Sequence, residues 1–163
     1  MFMKTRIMAL AFMAAGFTCA IAEVNPITQQ LEGSWITIGF PAAGAPPSVL
    51  ATTGLATYFA GGGLLKSDSR TLLRSTGHGQ WIRTGDRRFT ATHLYFGFDA
   101  TGKFTDTNKI TENILLNEKG DEYVQVAIIQ VYDGDGNLTA TRTVTGTGKR
   151  MMIGDLADQP LAP

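Results

Sequence analysis

Cysteine is almost missing from this chain. The 163 residues contain one, Cys19, and it falls inside an apolar N-terminal stretch with the pattern of a removable leader. Without paired cysteines there is no disulfide framework, no thiol nucleophile and no thiolate metal site, so stability must come from packing. Histidine is nearly as scarce, with His78 and His93 the two present. A zinc site would have to lean on carboxylates, and the sequence points to no bound metal and no cofactor. An excess of one charge is lacking too, with 14 basic and 14 acidic residues. No basic stripe for nucleic acid and no polybasic membrane patch is present. After residue 22 no apolar run approaches the roughly 20 residues a spanning helix needs, so no membrane span is expected.

The leader has three parts in order: a basic head "MFMKTR", an apolar run "IMALAFMAAGF", and the small-x-small site "AIA" at Ala20–Ala22. This order marks a secretory signal peptide rather than a span. Cleavage is expected after Ala22, leaving residues 23–163 as one exported domain, periplasmic or secreted. Loss of Lys4 and Arg6 with the leader leaves 12 basic against 14 acidic residues. A lipid-modified Cys19 is the rival reading, but "GFT" before it is a poor lipobox.

A sustained i, i+3, i+4, i+7 apolar pattern is absent from the rest of the chain, which alternates β-rich runs with turn clusters. Strands are expected over 31–40, 49–59, 64–70, 80–84, 88–98, 104–116, 123–132 and 138–151. Breaks fall at "PAAGAPPS", "AGGG", "TLLRSTGHG", "GDR", "DATGK", "NEKGDE" and "DGDGN". In "LTATRTVTGTGK" the threonines at 139, 141, 143, 145 and 147 share one face, as on a solvated sheet. The opposite face carries Leu138, Ala140, Arg142, Val144, Gly146 and Gly148. About eight strands joined as hairpins predict an all-β, antiparallel up-and-down barrel, because closure removes exposed edges. A barrel of eight strands fills its interior with side chains or holds one small ligand. An open β-sandwich is the alternative.

The tripeptide "GSW", Gly33-Ser34-Trp35, resembles the Gly-x-Trp signature of the first strand in lipocalins and related calycin barrels. That resemblance implies a lipocalin-like barrel in which Trp35 closes one end and a late arginine, here Arg150, packs across it. The Thr-Asp-Tyr motif of lipocalins and the helix before their last strand are not present. Residues 77–89, "GHGQWIRTGDRRF", closely resemble a GHGxWxRTGDRxF-like segment of uncharacterised secreted bacterial proteins. This second resemblance implies a shared fold and no particular activity.

In that segment the glycines around His78 suggest a sharp bend into a strand beginning near Trp81. "TGDR" suggests a tight hairpin with Gly85 or Asp86 in an unusual conformation. A functional reading puts His78 and Arg83 at the barrel mouth, in reach of a ligand. The strand "RFTATHLYFGF" sets Phe89, Ala91, His93, Tyr95 and Gly97 on one face. If that face is the lumen, His93 and Tyr95 enter the cavity, and similar parity offers Glu112, Gln125 and Arg142. A buried Glu112 would require a partner such as Arg142.

Other motifs fail on their own terms. "DGDGN" begins like a calcium loop, yet the twelfth position, where an EF-hand needs glutamate, is Val144. "AGGG" lacks the lysine and helix of a phosphate loop, and no Gly-x-Ser-x-Gly elbow is present. "NLT" at 137–139 is a glycosylation acceptor only in a eukaryotic secretory pathway.

Three functions remain. The first is an exported barrel that binds a small apolar or amphipathic molecule, with Trp35, His78, Trp81, Arg83, His93, Tyr95 and Gln125 as candidate contacts. The second is a cofactor-free isomerase or cyclase of the allene-oxide-cyclase kind, drawing on His93, Tyr95, Glu112 and Arg142. The third is a solid module without a pocket. The sequence specifies neither the ligand nor the oligomeric state.

Overall fold

The computed structural model describes residues 31–41, 51–70 and 72–152. The expected leader, with Cys19 and its expected cleavage site, and most of the proline-rich break at 41–48 lie outside them. Eight strands follow in order: β1 (Gly33–Phe40), β2 (Thr52–Tyr58), β3 (Gly63–Asp68), β4 (Gly77–Gly85), β5 (Arg88–Phe98), β6 (Phe104–Leu116), β7 (Glu122–Tyr132) and β8 (Leu138–Arg150). Each pairs antiparallel with its neighbour in sequence, and β8 returns to β1 to close the barrel. The open sandwich is thereby excluded. No helix among the described residues is long and apolar enough to cross a membrane.

Two local expectations need correction. The strand expected to begin at Gln80 begins at Gly77, so "GHG" is strand and not a corner. Gly77 and Gly79 face inward, and what demands glycine there is space. A Cβ on Gly79 would lie 2.6 Å from the Cα of His93, and one on Gly77 would lie 2.8 Å from the His93 ring. At the β4–β5 hairpin the left-handed residue is Arg87, with φ of 52°, and neither Gly85 nor Asp86. The turn after β7 behaves as expected of "DGDGN". The Asp133 carboxylate accepts the N–H groups of Asp135 at 3.0 Å and Asn137 at 2.8 Å, and Gly136 adopts φ of 83°.

Alternation along the strands divides the barrel into an aromatic plug and a cavity. The β2–β3, β4–β5 and β6–β7 turns gather at one end, which Trp35, Tyr58, Trp81, Phe89 and Tyr123 fill. Their rings meet edge-on or tilted: Trp35 against Tyr123 at 4.9 Å, Trp81 against Phe89 at 5.8 Å and Tyr58 against Trp81 at 6.2 Å. Such pairs add to the gain from apolar burial alone. Polar tips are satisfied locally, with Trp35 Nε1 donating to Leu31 O at 3.0 Å and Trp81 Nε1 to Phe59 O at 3.1 Å.

Arg150 finishes this end. It pairs with Trp35 across the β8–β1 seam, and its guanidinium sits 4.3 Å from the Trp35 ring centroid. The same group donates through Nε to Gly120 O and through Nη1 to Glu32 O. One side chain therefore ties the last strand, the β6–β7 turn and the entry to β1.

Candidate functional site

Beyond the plug the inward residues shrink and turn polar, and the interior opens into a cavity of about 380 Å³. The small residues Gly39, Gly54, Gly77 and Ala127 make that room on four different strands. Apolar lining comes from Ile110, Ile129 and Val144. The barrel is therefore not solid.

A polar group spans the cavity floor. Glu112 on β6 is 2% exposed and forms an ion pair and hydrogen bond with Lys66 on β3. Gln125 on β7 donates through Nε2 to the same Glu112 oxygen, Oε1, at 3.1 Å. The register explains the meeting of β6 and β7, since Glu112 pairs with Ala127 and Gln125 with Ile114. These two residues thus occupy adjacent inward positions. His93 on β5, 3% exposed, is cross-strand partner to both Gly79 and Ile110.

Burial and charge set the ionisation here. Burial alone would raise the Glu112 carboxyl, but the charges of Lys66 and His93 and the hydrogen bonds from Lys66 and Gln125 hold it below its ordinary value. Burial would lower Lys66, yet Glu112 above all keeps its ammonium raised. His93 is pushed down from 6.5 to about 4, by burial first; Glu112 opposes the shift and Lys66 adds to it. The floor at neutral pH is then a carboxylate, an ammonium and a neutral imidazole.

Each shift carries a stability consequence. A depressed histidine contributes stability that is fully present above 6.5 and lost as pH falls through about 4. Glu112, also depressed, loses its contribution below its ordinary 4.5. Lys66, raised, loses its contribution only above 10.5. Urea unfolding across pH 7 to 4 is expected to show a stability decline beginning near 6.5. The variant His93→Gln removes the early part of that decline. An unchanged pH profile in the variant would contradict the assignment.

At the open end residues 72–76, between β3 and β4, pair antiparallel with the end of β5 at Arg74 and Gly97. Ser75 N–H donates to Phe96 O and Phe98 N–H to Leu73 O, both at 2.9 Å. Arg74 from this segment lies 4.6 Å from the Tyr95 ring centroid and pairs with Asp68. Asp68 also pairs with Arg70 at 3.5 Å. Arg142, on β8, is exposed and lines the cavity from the opposite wall.

The residues singled out from sequence therefore separate into two sets. His93, Tyr95, Glu112, Gln125 and Arg142 line one cavity. Trp35, Trp81, His78 and Arg83 do not line it. The two tryptophans belong to the plug. His78 is exposed on the outer face, because inward parity on β4 falls on its glycine neighbours. Arg83 turns to its own hairpin, where Nε donates to Gly85 O at 2.9 Å and Nη2 approaches Asp86 at 3.6 Å.

The buried partner of Glu112 is also corrected: it is Lys66, and Arg142 stays at the rim. Sequence reasoning passed over Lys66, Asp68 and Arg74. Lys66 did carry a signal, sharing strand parity with Leu64 two residues earlier. No group of three or more histidine, cysteine or carboxylate side chains among the described residues is placed to hold a metal.

Among the described residues, four buried polar atoms have no hydrogen-bond partner: His93 Nδ1, Tyr95 Oη, Glu112 Oε2 and Gln125 Oε1. All four belong to residues lining the cavity. Comparison with models of known protein families finds no match. Comparison with curated proteins finds none at a significant level of similarity.

Proposed function

We propose that this barrel binds a small amphipathic molecule in its cavity, outside the cytoplasm, in the manner of calycin carriers. The observation that carries the reading is the set of four buried polar atoms, unpartnered among the described residues, on side chains that line the cavity. Buried polar groups in folded proteins are overwhelmingly hydrogen-bonded, because leaving one unmade costs about 1–3 kcal/mol. When such groups converge on a cavity of ligand size with apolar walls, a ligand's polar end is the economical partner. The leader at residues 1–22 supports export. The Gly-x-Trp strand with Arg150 over Trp35 supports the calycin likeness.

Binding to the native state alone raises the unfolding temperature by mass action, so a thermal-shift screen against amphipathic small molecules tests the reading. A ligand present at about 100 times its Kd is expected to add about 2.7 kcal/mol. No shift across a broad panel of alcohols, acids, amines and apolar dyes would contradict it.

The isomerase or cyclase reading draws on the same cavity and is favoured by one observation, the buried His93 Nδ1 left without a partner among the described residues. An imidazole in that state is able to accept a proton from a bound substrate. Loss of turnover in His93→Ala with binding retained separates an enzyme from a carrier, which has no turnover to lose.

A further inference from the structure

The four unpartnered atoms differ in what they ask of a ligand. Glu112 is a carboxylate whose Oε1 already receives both the Lys66 ammonium and the Gln125 amide N–H. Its Oε2 has no partner, and a carboxylate oxygen only accepts. Gln125 gives one N–H of its amide to Glu112, and its unpartnered Oε1, a carbonyl oxygen, is likewise an acceptor. Two acceptor-only oxygens thus belong to neighbouring side chains of the floor, which are joined by the 3.1 Å bond from Gln125 Nε2 to Glu112 Oε1. His93 Nδ1 and Tyr95 Oη, the other two, are able to accept or donate.

From this arrangement we propose that the cavity floor is a subsite for a neutral, hydroxyl-bearing head group, a diol supplying one donor for each of the two oxygens. The inference rests on the cavity being a ligand site and deepens it by naming the end of the ligand that goes in first. A carboxylate head is disfavoured, because it would bring acceptor oxygens and negative charge against Glu112 Oε2 and Gln125 Oε1. An ammonium head brings donors, but it would sit next to the Lys66 ammonium, which already neutralises Glu112. A methyl ether fills the space and supplies no donor. Hydroxyls supply donors to both oxygens and acceptor lone pairs to the groups around them. The apolar Ile110, Ile129 and Val144 then face the ligand's hydrocarbon part.

A site built to hydrogen-bond a hydroxyl rejects the analogue lacking it far more strongly than an apolar pocket rejects a missing methylene, because its own polar groups are left unpaired. The test uses three probes with one tail: octane-1,2-diol, its dimethyl ether and octanoate, titrated calorimetrically into the full exported protein at pH 7. The diol is expected to bind at least about tenfold more tightly than either of the others. In Gln125→Met, which keeps side-chain length and removes the acceptor, that ratio is expected to fall several-fold.

The wild-type comparison stands without the variant if Gln125→Met does not fold. Equal binding of diol and ether, or tighter binding of octanoate, overturns the hydroxyl subsite and leaves ligand binding standing. Failure of all three to bind, together with no thermal shift from the wider panel, overturns both. A diol preference that survives intact in folded Gln125→Met places the head group elsewhere and overturns the assignment to this floor.

Discussion

Lys66→Met is expected to destabilise the barrel by about 3–5 kcal/mol, the usual cost of removing one partner from a buried ion pair. The reason lies in what is left behind. Glu112 is 2% exposed and would keep its charge with only the Gln125 amide for compensation. Methionine fills much of the lysine's volume, so little of the loss would come from a void. Two further results follow from the same physics. The penalty should shrink as pH falls, because without Lys66 the Glu112 carboxyl is driven up by burial and takes a proton. The double variant Lys66→Met/Glu112→Gln should recover most of the stability, since a neutral amide needs no counter-ion. Urea denaturation with an unchanged m-value is the appropriate measurement. A loss below about 1 kcal/mol for Lys66→Met would mean the pair is effectively solvated, contrary to its position on the cavity floor.

Trp35→Ala is expected to cost a similar amount, about 3–5 kcal/mol, through a different mechanism. Trp35 is fully buried, packs against Tyr123 at 4.9 Å and lies beneath the Arg150 guanidinium at 4.3 Å. Truncation would open a void in the plug and also strip Arg150 of its cation–π contact, which contributes about 0.5–2 kcal/mol. Trp35 does not line the cavity, so ligand affinity in the folded fraction should be nearly unchanged. Thermal unfolding and ligand titration of the same variant separate the two effects. Loss of binding in a folded Trp35→Ala protein would contradict the division into plug and cavity.

The strand order and most boundaries were legible in the sequence because turn chemistry is explicit there. "DATGK" and "NEKGDE" bracket β6 so sharply that the expected 104–116 coincides with the observed Phe104–Leu116. What failed at "GHG" was the reason assigned to the glycines. Glycine permits unusual dihedrals and also permits close approach. Only the partner across the sheet, His93, shows that the second use applies.

The inward face was harder to read, since polarity does not mark it. On β7 the outward Val124, Val126 and Ile128 are exposed and as apolar as the inward Ala127 and Ile129. The lumen of β3, β5 and β6 carries Lys66, His93 and Glu112. A one-residue shift reverses every such assignment, and an inverted pattern offers little to prevent that error in reading. Closure of the barrel fixes the parity, and it brings together Glu112 and Gln125, already grouped by parity, with Lys66, which had not been grouped with them. The Lys66 partnership depends on a contact between β3 and β6 across the lumen, and no local pattern encodes that.

Native mass spectrometry of the protein, purified without denaturation, tests most directly the claim that this is a ligand-holding barrel. The expected result is a folded chain that carries a reproducible additional small-molecule mass, lost on denaturation and regained when an amphipathic alcohol is supplied. A species of bare polypeptide mass that acquires no adduct from that alcohol, from the wider panel or from an extract of its own compartment would contradict it.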